Sequence, residues 1–145
     1  MNGYRPIKVL FLCYGNSCRS ILAEALARYY WGAGAEVASA GLFPLGHITP
    51  HTLAALREEG VPTDGLYSKG LADVGLEDFD FLVNLTELKL DDLIYLSFRG
   101  KTLSCAVRDP FGEDLDSFRS TRNTLKKLIM EKLPGMIGKA IASKK

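Results

Sequence analysis

A nearly continuous apolar run from Ile7 to Leu12 leads into Cys13-Tyr14-Gly15-Asn16-Ser17-Cys18-Arg19-Ser20, and helix-patterned residues follow from Ile21 to Tyr30. This succession constrains the fold more than any other part of the chain. A buried strand delivers Cys13 to a turn, and Gly15-Asn16 supplies the tight or left-handed backbone that the turn needs. The helix then begins at about Ser20, with its unpaired N–H groups aimed back at the turn. Such a nest holds anions. The anion can be a phosphate dianion or the Cys13 thiolate itself, whose pKa at a helix N-terminus beside Arg is expected to fall below the ordinary value of ~8.5. Arg19 adds a planar fork that can grip two phosphate oxygens together.

Beyond this unit, strand patterns recur at about 35–39, 80–85 and 101–105, after the first at 7–12. Helix-length segments lie between and after them, at about 20–31, 50–59, 86–98 and 114–132. The alternation predicts an α/β fold: a three-layer αβα sandwich around a four-stranded parallel sheet with right-handed crossovers. Phe81-Leu82-Val83 has no polar alternation, as a strand covered on both faces requires. Thr49-Pro50 reads as a helix entry, with Thr49 as cap and Pro50 in the first turn. Pro134-Gly135 is expected to interrupt the last helix and leave a short frayed tail. In open parallel sheets ligands bind at the carboxyl ends of strands, which is where Cys13 and Ser39 fall.

Length and charge narrow the function classes. The 145 residues are expected to form one domain, and 47% hydrophobic content suffices for one core. With 18 basic and 17 acidic residues the formal charge is +1, so no broad electrostatic footprint for nucleic acid or a membrane exists, and any anion site is local. No signal-peptide pattern or span of transmembrane length is present, and the cytoplasm is the expected location. Three cysteines cannot all pair, which agrees with a reducing compartment. Cys13 and Cys18 lack zinc-knuckle spacing, and His47 and His51 straddle Pro50, so no metal or other cofactor is expected.

Cys13 to Ser20, continuing through Ala23-Glu24, resembles the signature of the low-molecular-weight protein tyrosine phosphatases. That superfamily also includes bacterial protein-arginine phosphatases and thioredoxin-coupled arsenate reductases. Ser39-Ala40-Gly41 resembles its second landmark and Asp109-Pro110-Phe111-Gly112 its third, the acid loop. The resemblance spans nearly the whole chain and implies the strand order 2-1-3-4. Two departures stand out: Ile21 replaces a common Pro, and the stretch from Thr86 to Asp109 is short.

The resemblance implies a division of labour. Cys13 would attack phosphorus to form a phosphocysteine while loop residues Tyr14 to Ser20 and Arg19 hold the equatorial oxygens. Ser20 would donate its hydroxyl to the sulfur, and Asn16, leaning on Ser39, would keep the loop in shape. Asp109 would protonate the leaving group and then activate water. Like charge facing Asp109 would raise its pKa, and Pro110 restricts it to extended backbone. Cys18 matches a second loop Cys that could form a reversible disulfide with Cys13. No His stands where tyrosine-specific members often brace the loop; Leu66-Tyr67-Ser68 occupies that region.

The substrate, a phosphorylated protein, stays open between phosphotyrosine and phosphoarginine. Ser17 matches the small hydroxyl residue of arginine phosphatases and arsenate reductases, and Asp114-Leu115-Asp116-Ser117-Phe118 also resembles the arginine-phosphatase pattern. Tyr14, Phe43 and Phe111 could flank a phenyl ring or a guanidinium. An arsenate reductase would use the same loop for its oxyanion, with thioredoxin as partner, but its relay cysteines are missing near Asn84-Leu85-Thr86, and Cys105 alone is spare. A non-catalytic phosphate-binding module would need neither Cys13 nor Asp109.

Overall fold

The computed structural model describes residues 5–90 and 98–142. Strand β1 (Ile7–Cys13) lies inside a parallel sheet, paired with β2 (Ala35–Gly41) on one side and β3 (Phe81–Asn84) on the other. Strand β4 (Lys101–Ser104) adds to β3. The order β2-β1-β3-β4 is the one expected.

Alternate side chains of β1 enter opposite halves of the core, as the two-residue period of a strand dictates. Val9, Phe11 and Cys13 face the side covered by helices α1 (Arg19–Trp31), α2 (Pro50–Glu58), α3 (Leu115–Lys127) and α4 (Leu133–Ala142). Leu10 and Leu12 face the other side, where short helical turns at Leu71–Asp73 and Leu76–Asp78 bring up Leu71, Val74 and Leu76, joined by Leu90 and Phe98. Leu10, Phe11 and Leu12 are wholly buried. Truncating Phe11 to Ala would cost about 3–5 kcal/mol. The whole run is therefore tied down where it meets the Cys13 loop.

Two expected elements differ. The helix expected at 86–98 does not begin at Thr86: the Asn84 carboxamide accepts from the Thr86 N–H (2.9 Å) and hydroxyl (2.7 Å), and Thr86 Oγ1 accepts from the Leu88 N–H (3.1 Å). These side chains capture backbone donors that a helix would need. Most of the remaining segment, 91–97, lies outside the described residues. At the other end, Pro134 does not break the last helix. Leu128–Lys132 forms a wide π turn in which the Leu133 N–H reaches back five residues to Leu128 O. Helix α4 restarts with Pro134 in its first turn, where a missing N–H does no harm.

Candidate active site

Cys13 ends β1, and α1 starts at Arg19, so residues 14–18 form the loop. Asn16 takes a left-handed backbone, φ 48°, which its short polar side chain tolerates. The chain after β2 zips onto this loop: Leu42, Phe43 and Leu45 donate their N–H groups to the carbonyls of Cys13 (3.1 Å), Tyr14 (2.8 Å) and Gly15 (2.9 Å). Gly41 is indispensable to that approach. A Cβ there would lie 2.8 Å from both Asn16 N and Tyr14 O.

The Cys13 sulfur is 2.9 Å from Ser20 Oγ and receives the Ser20 N–H at 3.4 Å. Asn16 Nδ2 donates to Ser20 Oγ at 2.7 Å and to Ser39 Oγ at 2.9 Å. Ser20 lies inside α1, and the cap position falls to Cys18, so the Ser20 hydroxyl serves the sulfur instead of the helix end.

Arg19 is buried and anchored on one edge, where Nη1 donates to the carbonyls of Leu85 (3.1 Å) and Val107 (3.0 Å). Its Nη2 faces Asp109 Oδ2 at 3.4 Å. The Asp109 carboxylate, half exposed, accepts the Phe111 N–H at 3.0 Å, an Asx turn that fixes its direction. Glu113 N–H closes the following turn onto Pro110 O at 2.9 Å, with Gly112 at φ 82° supplying the left-handed step. Cys13, Gly15, Ser17, Cys18, Arg19, Leu45, Asp109 and Phe111 line one small cavity of about 80 Å³.

Phe111 is the aromatic residue in that lining, and further exposed aromatic side chains stand on the adjoining segments. The Tyr14 and Phe43 rings meet with centroids 5.1 Å apart and planes tilted by 42°, and Phe111 and Tyr67 are also open to solvent. Ser17 is turned toward the entry of α2: Thr49 N–H donates to its Oγ at 3.2 Å and Thr52 Oγ1 to its carbonyl at 2.8 Å. Thr49 occupies the cap position of α2 as expected, yet its hydroxyl pairs with Thr52 Oγ1 (2.7 Å) and Cys18 Sγ (3.5 Å), not with a helix N–H. Burial pushes the Cys18 thiol up from its ordinary value, so it stays protonated. All three cysteines are free. Cys105 lies outside the cavity, beside Lys127 and Lys132.

The residues singled out in the sequence thus come together. The loop contacts from Leu45, Thr49, Thr52 and Lys69 were not foreseen. The Lys69 N–H holds Asn16 Oδ1 at 2.8 Å, so the loop is braced without a His. Thr49-Pro50 was the one local signal; nothing in the spacing marks the others. Among the described residues no helix is long and apolar enough to cross a membrane.

Comparison with known proteins follows the same lines. The family model described as low molecular weight phosphotyrosine protein phosphatase matches residues 8–143. The chain is 30% identical over 139 residues to a protein-arginine-phosphatase of Bacillus subtilis, covering 85% of this chain and 92% of that one. It is 29% identical over 122 residues to a glutaredoxin arsenate reductase of Synechocystis sp., covering 84% and 92%. The solved arginine phosphatase of Geobacillus stearothermophilus superposes with a TM-score of 0.81 at 26% identity, over 94% of this chain and 97% of that one. With the loop, the sheet order and the family match in agreement, the chain belongs to the low-molecular-weight phosphotyrosine protein phosphatase family and is a hydrolase of that type.

Proposed function

We propose that this protein is a protein phosphatase that works through a phosphocysteine on Cys13 and prefers phosphoarginine to phosphotyrosine. The contact between Cys13 Sγ and Ser20 Oγ at 2.9 Å, beneath a cavity that Arg19 and Asp109 also line, carries the reading of the chemistry. The thiolate attacks phosphorus while the loop N–H groups and the free edge of Arg19 take the equatorial charge. Asp109, entering the step in its acid form, moves from Arg19 to the leaving nitrogen or oxygen and gives it that proton, which leaves Asp109 a carboxylate. The S–P bond forms as the P–N or P–O bond breaks. Water, deprotonated by Asp109, next cleaves the phosphocysteine and returns the thiolate, with the Ser20 hydroxyl stabilising the departing sulfur.

Ser17 supports the choice of substrate. Its side chain is small, its hydroxyl is held by the Thr49 N–H, and it lines the same cavity as Asp109, so no bulky side chain stands at that position. A planar cationic guanidinium suits the Phe111 ring and the Asp109 carboxylate, which line the cavity together. The arginine-phosphatase relatives agree with this choice. Arsenate reduction needs accessible relay thiols, and Cys105 does not line the cavity. Cys18 suits protection instead. Peroxide would convert Cys13 to a sulfenic acid, and the Cys18 thiol would displace its oxygen as water to form a reducible disulfide.

One purified sample assayed on phosphoarginine peptide, phosphotyrosine peptide and arsenate with a thiol reductant tests the assignment. The expected order of kcat/KM is phosphoarginine above phosphotyrosine, without arsenate turnover. Dominant phosphotyrosine hydrolysis would overturn the substrate choice, and arsenate turnover without phosphatase activity would overturn the reaction.

A further inference from the structure

Behind the cavity lies a buried ion pair that the reaction above does not employ. Glu24 is 3% exposed and Lys69 7%. Lys69 Nζ sits 3.4 Å from Glu24 Oε1 and donates to Ser39 Oγ (3.3 Å) and to Tyr67 O (3.0 Å), with the Tyr67 ring centroid at 4.5 Å. Arg28 reaches the other Glu24 oxygen from the solvent side.

The direction of every bond between this pair and the sulfur follows from donor chemistry. A backbone N–H can only donate, so the Lys69 N–H fixes Asn16 Oδ1 toward itself and turns Nδ2 toward Ser39 and Ser20. Ser39 Oγ receives from both Asn16 Nδ2 and Lys69 Nζ, which uses its lone pairs. Its own proton goes to Glu24 Oε1 at 2.5 Å. Ser20 Oγ receives from Asn16, and its proton is left to point at Cys13 Sγ. The chain has one polarity from carboxylate to sulfur.

We propose that Lys69 is a positioning residue for Cys13: its backbone N–H and its ammonium hold Ser39, Asn16 and Ser20 in the polarity that presents a hydroxyl proton to the sulfur. The proposal rests on the reading of Cys13 as nucleophile. Removing the ammonium takes the inner cation from a buried carboxylate. A proton supplied to Glu24 in its place would donate into the Ser39 lone pair that Lys69 vacates, the Ser39 hydrogen would lose Glu24 Oε1 as its acceptor, and the direction of the chain would no longer be fixed.

The test is the rate of Cys13 alkylation by iodoacetamide on the full-length protein, read by mass spectrometry, with kcat and KM measured in parallel. Lys69→Met is expected to slow alkylation and kcat about tenfold, the scale of losing one hydrogen bond to a charged group, with KM nearly unchanged. Lys69→Arg keeps a cation and is expected to stay within about threefold of the parent. Glu24→Gln combined with Lys69→Met buries no charge and keeps an acceptor for Ser39, so it too is expected within about threefold; it serves even if Lys69→Met alone fails to fold. Parental alkylation in Lys69→Met, or an equal loss in Lys69→Arg or in the double variant, overturns the proposal. The alkylation contrast is read without any phosphorylated substrate. A protein that shows it yet hydrolyses nothing would sink the proposed function and leave the positioning role standing.

Discussion

Asn16 concentrates the design of the site in one side chain. Its φ of 48° bends the loop, its Oδ1 takes the Lys69 N–H, and its Nδ2 serves Ser20 and Ser39 together. Gly41 matters for a steric reason, because the loop backbone passes where its Cβ would be. Gly41→Ala is expected to cost about 1–3 kcal/mol of stability and to lower kcat further than stability alone explains, since the displaced atoms belong to the loop. Urea unfolding and turnover on one preparation would check both. Asp109 is argued to supply a proton, so Asp109→Ala should slow a substrate with a poor leaving group by about 100-fold, within the usual range for general acids. An activated aryl phosphate should lose much less. Equal losses on both would mean that Asp109 only holds Arg19.

At the scale of elements, strand, loop and helix were legible from Ile7 to Tyr30 because a buried strand and a tight turn each leave a local pattern. The bracing contacts were not. Thr49 and Thr52 reach Ser17 from 32 and 35 residues away, and the Lys69 N–H reaches Asn16 from 53 away; no spacing rule connects them. Pro134 misled for a related reason, because the π turn that absorbs it is built over the five residues before α4.

Helices α2 and α3 are clamped by Glu58, which accepts from Arg119 Nε (2.9 Å) and Arg122 Nη1 (3.0 Å). The Arg119 hydrogen bonds hold Glu58 down at about 2. A carboxyl depressed in the folded state stabilises above its unfolded value of about 4.3 and loses that contribution as pH falls toward the folded value. Glu58→Gln should therefore lower the urea midpoint at pH 7, and the difference from wild type should shrink steadily between about pH 4.3 and 2. A difference that does not change with pH would remove the clamp from the account.

For the molecule as a whole, the parallel sheet sets the geometry on which the chemistry depends. Register pairs Cys13 with Gly41 and Phe11 with Ser39, so β1 and β2 end together beneath the loop. Residue 84 of β3 lies beside Leu12, which brings Leu85 O to Arg19. The fold class and the loop could be read in the sequence because alternation and the Cys13–Ser20 run survive in one dimension. The second ring of contacts, from Glu24 through Ser39 to Lys69, exists only once α1, β2 and the turn before Leu71 are assembled. The central claim is that Cys13 becomes phosphorylated during turnover. Rapid acid quenching during hydrolysis of an aryl phosphate, followed by peptide mass spectrometry, measures this directly. The account predicts a phosphoryl group on the Cys13 peptide, accumulating in Asp109→Ala and missing in Cys13→Ser; turnover at the parental rate by Cys13→Ser, or phosphate found on another side chain, would contradict it.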